Sequence, residues 1–315
     1  MSDIETARTV IPRVGLATPT IRLEAADVEA EILLKLENLS PIGSFKLRGV
    51  YGALAHVPET KLAGGIWTVS AGNFGRALAW AARDAGLAAT VLIPQEAPAV
   101  KEEAILRLGA SVERVPLDDL YRILEAGGDR RRRSYYLDPI GQAGEMAGYG
   151  TIGLELAEQI GEVDTVLVPW GSGGLACGIA SALEAVDPQA QVFSCEPETG
   201  APLAASMRAG RPLEVEFRSS FVDAAGGRRV FPQFWKLAQT LIRGTHVVTL
   251  AEAAAAIRLL AANAHVVAEG AGALPVAAAL AGGARGRTVC VVSGGNIDTS
   301  ALRAILGGDH GLSLR

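Results

Sequence analysis

The 315-residue chain is predicted to be an α/β protein with two domains of parallel-rich twisted sheets covered by helices. Short runs of β-branched and apolar residues alternate with alanine-rich helical stretches, and a glycine or proline usually separates them. The strand candidates are apolar almost throughout, which is expected where helices cover both faces of a parallel sheet. Two domains also suit the length, since roughly 150 residues per domain is common.

These patterns locate the elements along the chain. The β-branched runs predict strands at Ile32–Leu36, Ile66–Ser70, Thr90–Pro94, Val112–Val115, Val166–Pro169, Val192–Cys195, Val247–Leu250 and Thr288–Ser293. The stretches between them predict helices at Phe74–Ala85, Pro98–Leu108, Thr151–Ile160, Leu175–Ala185, Pro202–Ala209, Phe231–Ile242, Ala251–Ala264 and Thr299–Leu306. Ligands of open α/β sheets bind beyond the carboxyl ends of the strands, so the site is expected there.

Composition and charge exclude several function classes. Hydrophobic residues make up 49% of the chain and charged residues 20%, which supplies a large core and argues against disorder. The formal net charge of −5 gives no electrostatic footprint for nucleic acid. The basic run Arg130–Arg133 is interpreted as a solvated loop rather than a phosphate site.

No membrane or secretory segment is expected either. The charge-free stretch Gly270–Ala284 is shorter than the roughly 20 apolar residues of a spanning helix, and it contains glycines and a proline. Met1–Arg13 lacks the apolar core of a signal peptide. The cysteines Cys177, Cys195 and Cys290 lie far apart without a Cys-x-x-Cys pattern, so we expect a cytoplasmic protein with reduced thiols.

Two predicted strand-to-helix turns are suited to anion binding: Ser70-Ala71-Gly72-Asn73 and Gly171-Ser172-Gly173-Gly174. Backbone amides at a helix start lack intrahelical acceptors, and the helix dipole favours negative charge there. The first turn could also be an ordinary helix cap. The second could be a structural loop or, as Gly171-x-Gly173-x-x-Ala176 with Glu196 as ribose acceptor, the dinucleotide fingerprint of an NAD-dependent oxidoreductase.

Two further motifs carry reactive groups. Ser293-Gly294-Gly295-Asn296 ends the last predicted strand with a hydroxyl, although a plain turn would explain it equally well. Lys46 lies in Ser44-Phe45-Lys46-Leu47-Arg48-Gly49, where its apolar neighbours distinguish it from an ordinary surface lysine. Desolvation favours a neutral amine, which can form a Schiff base and act as a base.

Together and in this order, these motifs resemble those of the fold type II, tryptophan synthase β-like, pyridoxal-phosphate-dependent enzymes, in particular the threonine/serine dehydratase branch. The resemblance covers nearly the whole chain and includes the segments Ala147–Gly153 and Ala268–Ala273. It implies a large PLP-binding domain formed by residues 1–49 and 138–315. It also implies a small mobile domain at residues 50–137.

The resemblance further implies roles for the site residues. Lys46, preceded by Phe45, would hold pyridoxal 5'-phosphate covalently and take the α-proton of the substrate. Asn73 would bond the ring hydroxyl of the cofactor, Ser293 its pyridine nitrogen, and Glu269 would lie at its rim. The residues assigned to the cofactor phosphate are Gly171, Ser172, Gly173, Gly174 and Leu175. Those assigned to the substrate are Ser70, Ala71, Gly72, Asn73 and Phe74.

The implied activity is β-elimination from a 3-hydroxy amino acid such as L-threonine or L-serine, giving a 2-oxo acid and ammonia. A serine cannot protonate the pyridine nitrogen as an aspartate would, which favours prompt elimination over transamination. Phe74 stands where dehydratases commonly have histidine, so a bulkier aromatic or acidic substrate is an alternative. β-Replacement and racemisation are others, although Ala71 occupies the place of the second serine of serine racemases.

Metal-dependent relatives bind a divalent cation with a glutamate, a backbone carbonyl and an aspartate six residues after the glutamate. Glu196 matches the glutamate, but Pro202 occupies the aspartate position. With one carboxylate left, a hard cation loses much of its oxygen shell, so no metal is expected and Glu196 is the remaining candidate ligand. A homodimer is expected from the resemblance.

Overall fold

The computed structural model describes residues 1–11, 17–24, 29–141 and 143–308. These residues form two compact units. The large unit comprises Ala17–Phe45 and Tyr149–Arg315, and the small unit comprises Ser2–Leu16 and Lys46–Gly148, in each case the described residues. The domain bounds suggested by the sequence, at 49/50 and 137/138, differ from these and stay a prediction.

Both units are built around a sheet. In chain order the strands are β1 (Thr20–Leu23), β2 (Glu31–Leu36), β3 (Ile66–Val69), β4 (Ala89–Pro94), β5 (Ser111–Val115), β6 (Tyr135–Tyr136), β7 (Thr165–Pro169), β8 (Gln191–Pro197), β9 (Ile242–Val248) and β10 (Arg287–Val292). The large unit has the strand order β1-β2-β10-β7-β8-β9, in which β1 is antiparallel to β2 and the other neighbours are parallel. The small unit has the parallel order β5-β4-β3-β6.

The helices alternate with these strands. They are α1 (Ser2–Val10), α2 (Lys46–Ala55), α3 (Glu59–Leu62), α4 (Asn73–Asp84), α5 (Ala99–Leu106), α6 (Leu117–Glu125), α7 (Ala143–Ile160), α8 (Gly174–Val186), α9 (Pro202–Ala209), α10 (Pro232–Leu241), α11 (Leu250–Leu259), α12 (Gly270–Ala278) and α13 (Thr299–Leu306). Their starts follow ordinary helix chemistry. Prolines occupy the first turns of α9 and α10, Thr249 and Glu252 form a capping box at α11, and Asp298 caps α13.

The core of the large unit explains the charge-free stretch seen in the sequence. Every residue of α12 is buried, and this helix lies against β7, β8 and β10. A helix surrounded by protein needs no polar face, so its sequence lacks amphipathic periodicity and no helix was predicted there. Within the described ranges, no helix combines the length and apolarity that a bilayer crossing would require.

Of the predicted elements whose bounds differ from the structure, two differ for a clear physical reason. The helix expected at Thr151–Ile160 begins at Ala143, because the glycine-rich turn preceding Thr151 is itself helical. The strand expected at Val247–Leu250 is β9, Ile242–Val248, since the Thr249 cap starts α11 at Leu250. The alternation of strands and helices and the parallel sheets confirm the predicted α/β class.

Candidate active site

The strand order of the large unit brings several predicted site residues to one edge of its sheet. β10 lies between β2 and β7, β8 follows β7, and all four run parallel. Their carboxyl ends therefore share an edge, where ligands of such sheets bind. Ser293 follows β10, and the loop Gly171–Gly174, here called the glycine loop, follows β7. These two predicted features thus lie at adjacent strand ends.

The glycine loop opens α8 in a conformation that suits an anion. Gly173 is the residue before the first turn, with a φ of 106°, and no described side chain caps the helix there. A Cβ at this position would lie 2.7 Å from the buried ring of Trp170, so both conformation and space require glycine. The opening amides of α8 are left to an external acceptor, and the dipole favours a phosphate there.

Ser293 is buried and lies beside the segment that leads to Lys46. Its backbone carbonyl accepts a hydrogen bond of 3.0 Å from the amide of Phe45. Ser44, which precedes Phe45, forms an antiparallel bridge with Gly294. These contacts attach Phe45 to the edge at which Ser293 lies.

Glu269 braces the turn after Ser293. It precedes the first turn of α12, its amide donates to the carbonyl of Gly294 at 3.0 Å, and its Oε2 accepts from the amide of Asn296 at 3.2 Å. A Cβ on Gly294 would lie 2.5 Å from Oε1, so the carboxylate lies directly against this backbone. Contact of Glu269 with the cofactor rim stays a prediction.

The turn Ser70–Gly72 of the small unit is a second uncapped helix start. It follows β3 and opens α4, and no described side chain caps that helix. The Ser70 hydroxyl accepts from the amide of Gly72 at 3.3 Å rather than from the first turn of α4. These contacts favour an anion site over an ordinary side-chain cap at this helix start. A carboxylate is a suitable anion.

Lys46 is the first residue of α2 in the small unit, and it is half-buried. Its Nζ lies 5.7 Å from the centroid of the Phe74 ring, which belongs to the first turn of α4. The structure thus brings together the predicted reactive amine and the aromatic residue that departs from the dehydratase pattern.

Close packing between α2 and α7 within the small unit fixes the helix that Lys46 begins. A Cβ on Gly148 would lie 2.1 Å from the carbonyl oxygen of Arg48, and one on Gly52 would lie 2.5 Å from that of Gly144. Any larger residue would separate the two backbones. These glycines therefore hold α2 in place.

Glu196, the candidate metal ligand, instead caps a helix. Its Oε1 accepts from the amide of Leu203 at 2.9 Å and its Oε2 from that of Ala204 at 2.7 Å, at the start of α9. The carboxyl group is buried, and burial raises its pKa to about 7 although both amides oppose the rise. The described residues contain no group of three or more His, Cys, Asp or Glu side chains arranged for a metal ion.

The dinucleotide interpretation of the glycine loop is not supported by these contacts. It requires Glu196 as the acceptor of a ribose hydroxyl. Both oxygens of Glu196 are engaged by α9, so the acceptor is already used within the protein.

Two polar side chains of interest were missed in the sequence. Tyr149 packs edge-on against Phe45, with ring centroids 4.8 Å apart, and lies 3.4 Å from where a Cβ of Gly174 would be. It precedes the predicted start of α7, so periodicity gave no signal. Asp138 follows β6, where burial raises its pKa and its Oδ1 accepts from the amide of Ile140 at 3.0 Å. Its place after a strand could have revealed it.

Each unit thus contains a helix start without a side-chain cap, α8 in the large unit and α4 in the small unit, and such starts are suited to anionic groups. The family model described as "Pyridoxal-phosphate dependent enzyme" matches residues 11–295. The chain therefore belongs to this family, and its cofactor is pyridoxal 5'-phosphate, as predicted.

Relatives agree with this assignment. L-threonine ammonia-lyase of Thermotoga maritima is 36% identical over 309 residues, which are 96% of this chain and 75% of the relative. The structure of a threonine deaminase from T.th. has a TM-score of 0.87 at 30% identity, covering 95% of this chain and 98% of that one. Maize serine racemase has a TM-score of 0.86 at 27% identity, covering 96% and 95%. The predicted fold type II is confirmed.

Replacing Gly173 by alanine is expected to damage the phosphate site. Left-handed strain costs about 1–2 kcal/mol, and crowding against Trp170 adds about 1–3 kcal/mol. We expect urea unfolding to show a loss of at least about 2 kcal/mol, and PLP binding to weaken at least tenfold. Gly210→Ala is the matched control, since Gly210 has a φ of 68° and nothing within 4 Å of an added Cβ. Unchanged PLP affinity in Gly173→Ala would contradict the assignment.

The Glu196 cap predicts a pH dependence of stability. An unfolded glutamate has a pKa of about 4.3, so the folded state holds the proton more tightly. This contribution is fully present below about pH 4 and is lost as the pH rises through about 7. Between pH 5 and 8, wild-type stability relative to Glu196→Gln should fall by about 2–3 kcal/mol in urea unfolding.

The exposed Glu216 provides a control, because Glu216→Gln should leave the wild-type pH profile unchanged. A constant difference between wild type and Glu196→Gln across this pH range would show that the Glu196 carboxyl does not titrate there.

Proposed function

We propose that this protein is a pyridoxal-phosphate-dependent ammonia-lyase that converts L-threonine, L-serine or a close analogue to a 2-oxo acid and ammonia. The observation that carries the proposal is the pair of uncapped helix starts, α8 suited to a phosphate and α4 suited to a carboxylate. The similarity to an L-threonine ammonia-lyase over nearly the whole chain supports the reaction.

The cofactor supplies an electron sink that stabilises negative charge at the α-carbon of the substrate. The amides of Gly171–Leu175 would hold its phosphate. Asn73 and Ser293 would orient its ring, and the Ser293 hydroxyl would hydrogen-bond the ring nitrogen without being acidic enough to transfer a full proton. This would limit charge delocalisation and so favour early elimination over longer-lived carbanion chemistry.

Lys46 would hold the cofactor, and its Nζ, once free, would act as the base that takes the α-proton of the substrate. The face of the Phe74 ring stabilises the resulting ammonium by about 0.5–1 kcal/mol. The same ring gives Nζ of Lys46 an apolar neighbour on one side.

The Ser70–Asn73 turn binds the substrate carboxylate and determines stereochemistry. Ala71 carries no transferable proton. It therefore cannot donate a proton to the face of the α-carbon that lies opposite Lys46. Elimination is therefore expected to dominate over racemisation. Phe74 supports a second candidate, elimination from a bulkier aromatic or acidic 3-hydroxy amino acid, because it lies beside Nζ of Lys46.

Assembly and location are also proposed. The three cysteines are buried free thiols, which suits a reducing cytoplasm. A homodimer is proposed from the resemblance to the dehydratase branch.

A panel of 3-hydroxy amino acids tests the function. Purified holoenzyme should release 2-oxo acid and ammonia fastest from L-threonine or L-serine, without an added nucleophile. Preference for phenylserine or 3-hydroxyaspartate would favour the bulkier-substrate candidate. Product formation that requires an added thiol or amine would indicate β-replacement, and no product from any member would overturn the proposal.

Lys46→Ala is expected to abolish the visible absorption band and to lower turnover by at least about 10³-fold. Borohydride reduction followed by peptide mapping should place the cofactor label on Lys46 in wild type. Lys236→Ala, which removes an exposed lysine of α10, is the control and should keep both the band and turnover. A label on another lysine would contradict the role of Lys46.

Ala71→Ser is expected to introduce racemisation, because it adds a hydroxyl proton to the substrate turn. Chiral chromatography of the remaining serine should show the D-isomer accumulating at a rate at least about tenfold above that of wild type. Ala71→Gly also changes the side chain but adds no proton, so it should behave like wild type. Equal D-isomer formation in both variants would contradict proton donation from this position.

A further inference from the structure

The small unit contains a cavity of about 520 Å³ that the proposed reaction does not use. Gly64 and Ser134 line it just before β3 and β6, and Ala126–Gly128 line it just after α6. The Ser70–Asn73 turn, which is proposed to bind the substrate, follows the carboxyl end of β3. At about 3.3 Å per residue, the four-residue strand separates that turn from the amino end by about 13 Å.

The cavity carries excess positive charge that the protein itself does not neutralise. Arg131 is paired with Asp129, and the guanidinium of Arg132 donates two hydrogen bonds to the carboxylate of Glu113. Lys61, Arg130 and Arg133 line the cavity, and none of the three forms a salt bridge with a described residue. Three uncompensated cations thus surround one concave site in a chain whose net charge is −5.

One wall of the cavity is fixed before any ligand arrives. The guanidinium of Arg132 lies 4.9 Å from the ring centroid of the buried Trp67, and its other contact is Glu113. Trp67 packs against Tyr136 with centroids 4.6 Å apart. A wall held in this way lowers the ordering cost of binding.

We propose that this cavity binds a small molecule bearing a phosphate group and at least two negative charges. Guanidinium groups match phosphate oxygens through paired hydrogen bonds, and the volume lies within the roughly 300–1,000 Å³ of ligand pockets. The carboxyl end of α6 also lies at the cavity. Its helix dipole contributes about half a negative charge there, which disfavours an anion. Three full positive charges outweigh that half charge.

Calorimetric titration of holoenzyme tests this inference, with the cofactor fixed by borohydride so that phosphate probes cannot replace it. Inorganic pyrophosphate and ribose 5-phosphate are titrated separately, which distinguishes a bare phosphate from a phosphate ester. We expect one-to-one saturable binding of at least one probe. The affinity should weaken as ionic strength rises.

The double variant Arg130→Gln/Arg133→Gln should bind the probe at least tenfold more weakly, since each charge-assisted hydrogen bond contributes about tenfold. Arg208→Gln/Arg211→Gln removes the same number of exposed charges at residues that do not line the cavity, and it should bind like wild type. Matching thermal unfolding midpoints would show that both variants fold.

Saturable binding of neither probe would overturn the inference. So would equal weakening by the two double variants, because that would show general charge attraction instead of a site. Undiminished binding by Arg130→Gln/Arg133→Gln would place the anion elsewhere.

Discussion

The unpaired amides that open α8 are the feature on which the account of this enzyme depends. An anion can complete them, because a helix start without a side-chain cap leaves these donors free for an external acceptor. The parallel order β2-β10-β7-β8 places Ser293 at the strand end next to that helix. We therefore expect backbone geometry to determine the position of the cofactor phosphate, and the side chains around it to select its chemistry.

The second constraint on the structure is close packing at glycines, where a Cβ would overlap a neighbouring atom. Gly173 rests on Trp170, Gly294 rests on the carboxylate of Glu269, and Gly148 touches the backbone of Arg48. The first two shape the carboxyl edge of the large-unit sheet, and the third holds α2 of the small unit, whose first residue is Lys46. These glycines do not make the chain flexible. They allow neighbouring backbone and side-chain atoms to pack at close, fixed distances.

Local sequence signals predicted much of the fold and located the turns of the candidate site. Strand ends followed by glycine turns identified the Ser70–Asn73 turn, the glycine loop and Ser293, because turn chemistry is encoded in adjacent residues. The buried helix α12 was missed because it has no polar face, and Tyr149 because its contacts with Phe45 join distant parts of the chain. The interpretation of Arg130–Arg133 as a solvated loop does not include the contacts of Arg132 with Glu113 and Trp67, because these depend on tertiary structure.

A crystal structure of the holoenzyme tests the central claim most directly. The account predicts the cofactor phosphate within about 3 Å of the amides that open α8, with the ring nitrogen at the Ser293 hydroxyl and a covalent bond to Lys46. A phosphate bound at another helix start, such as that of α4, or a cofactor bonded to a different lysine, would contradict it.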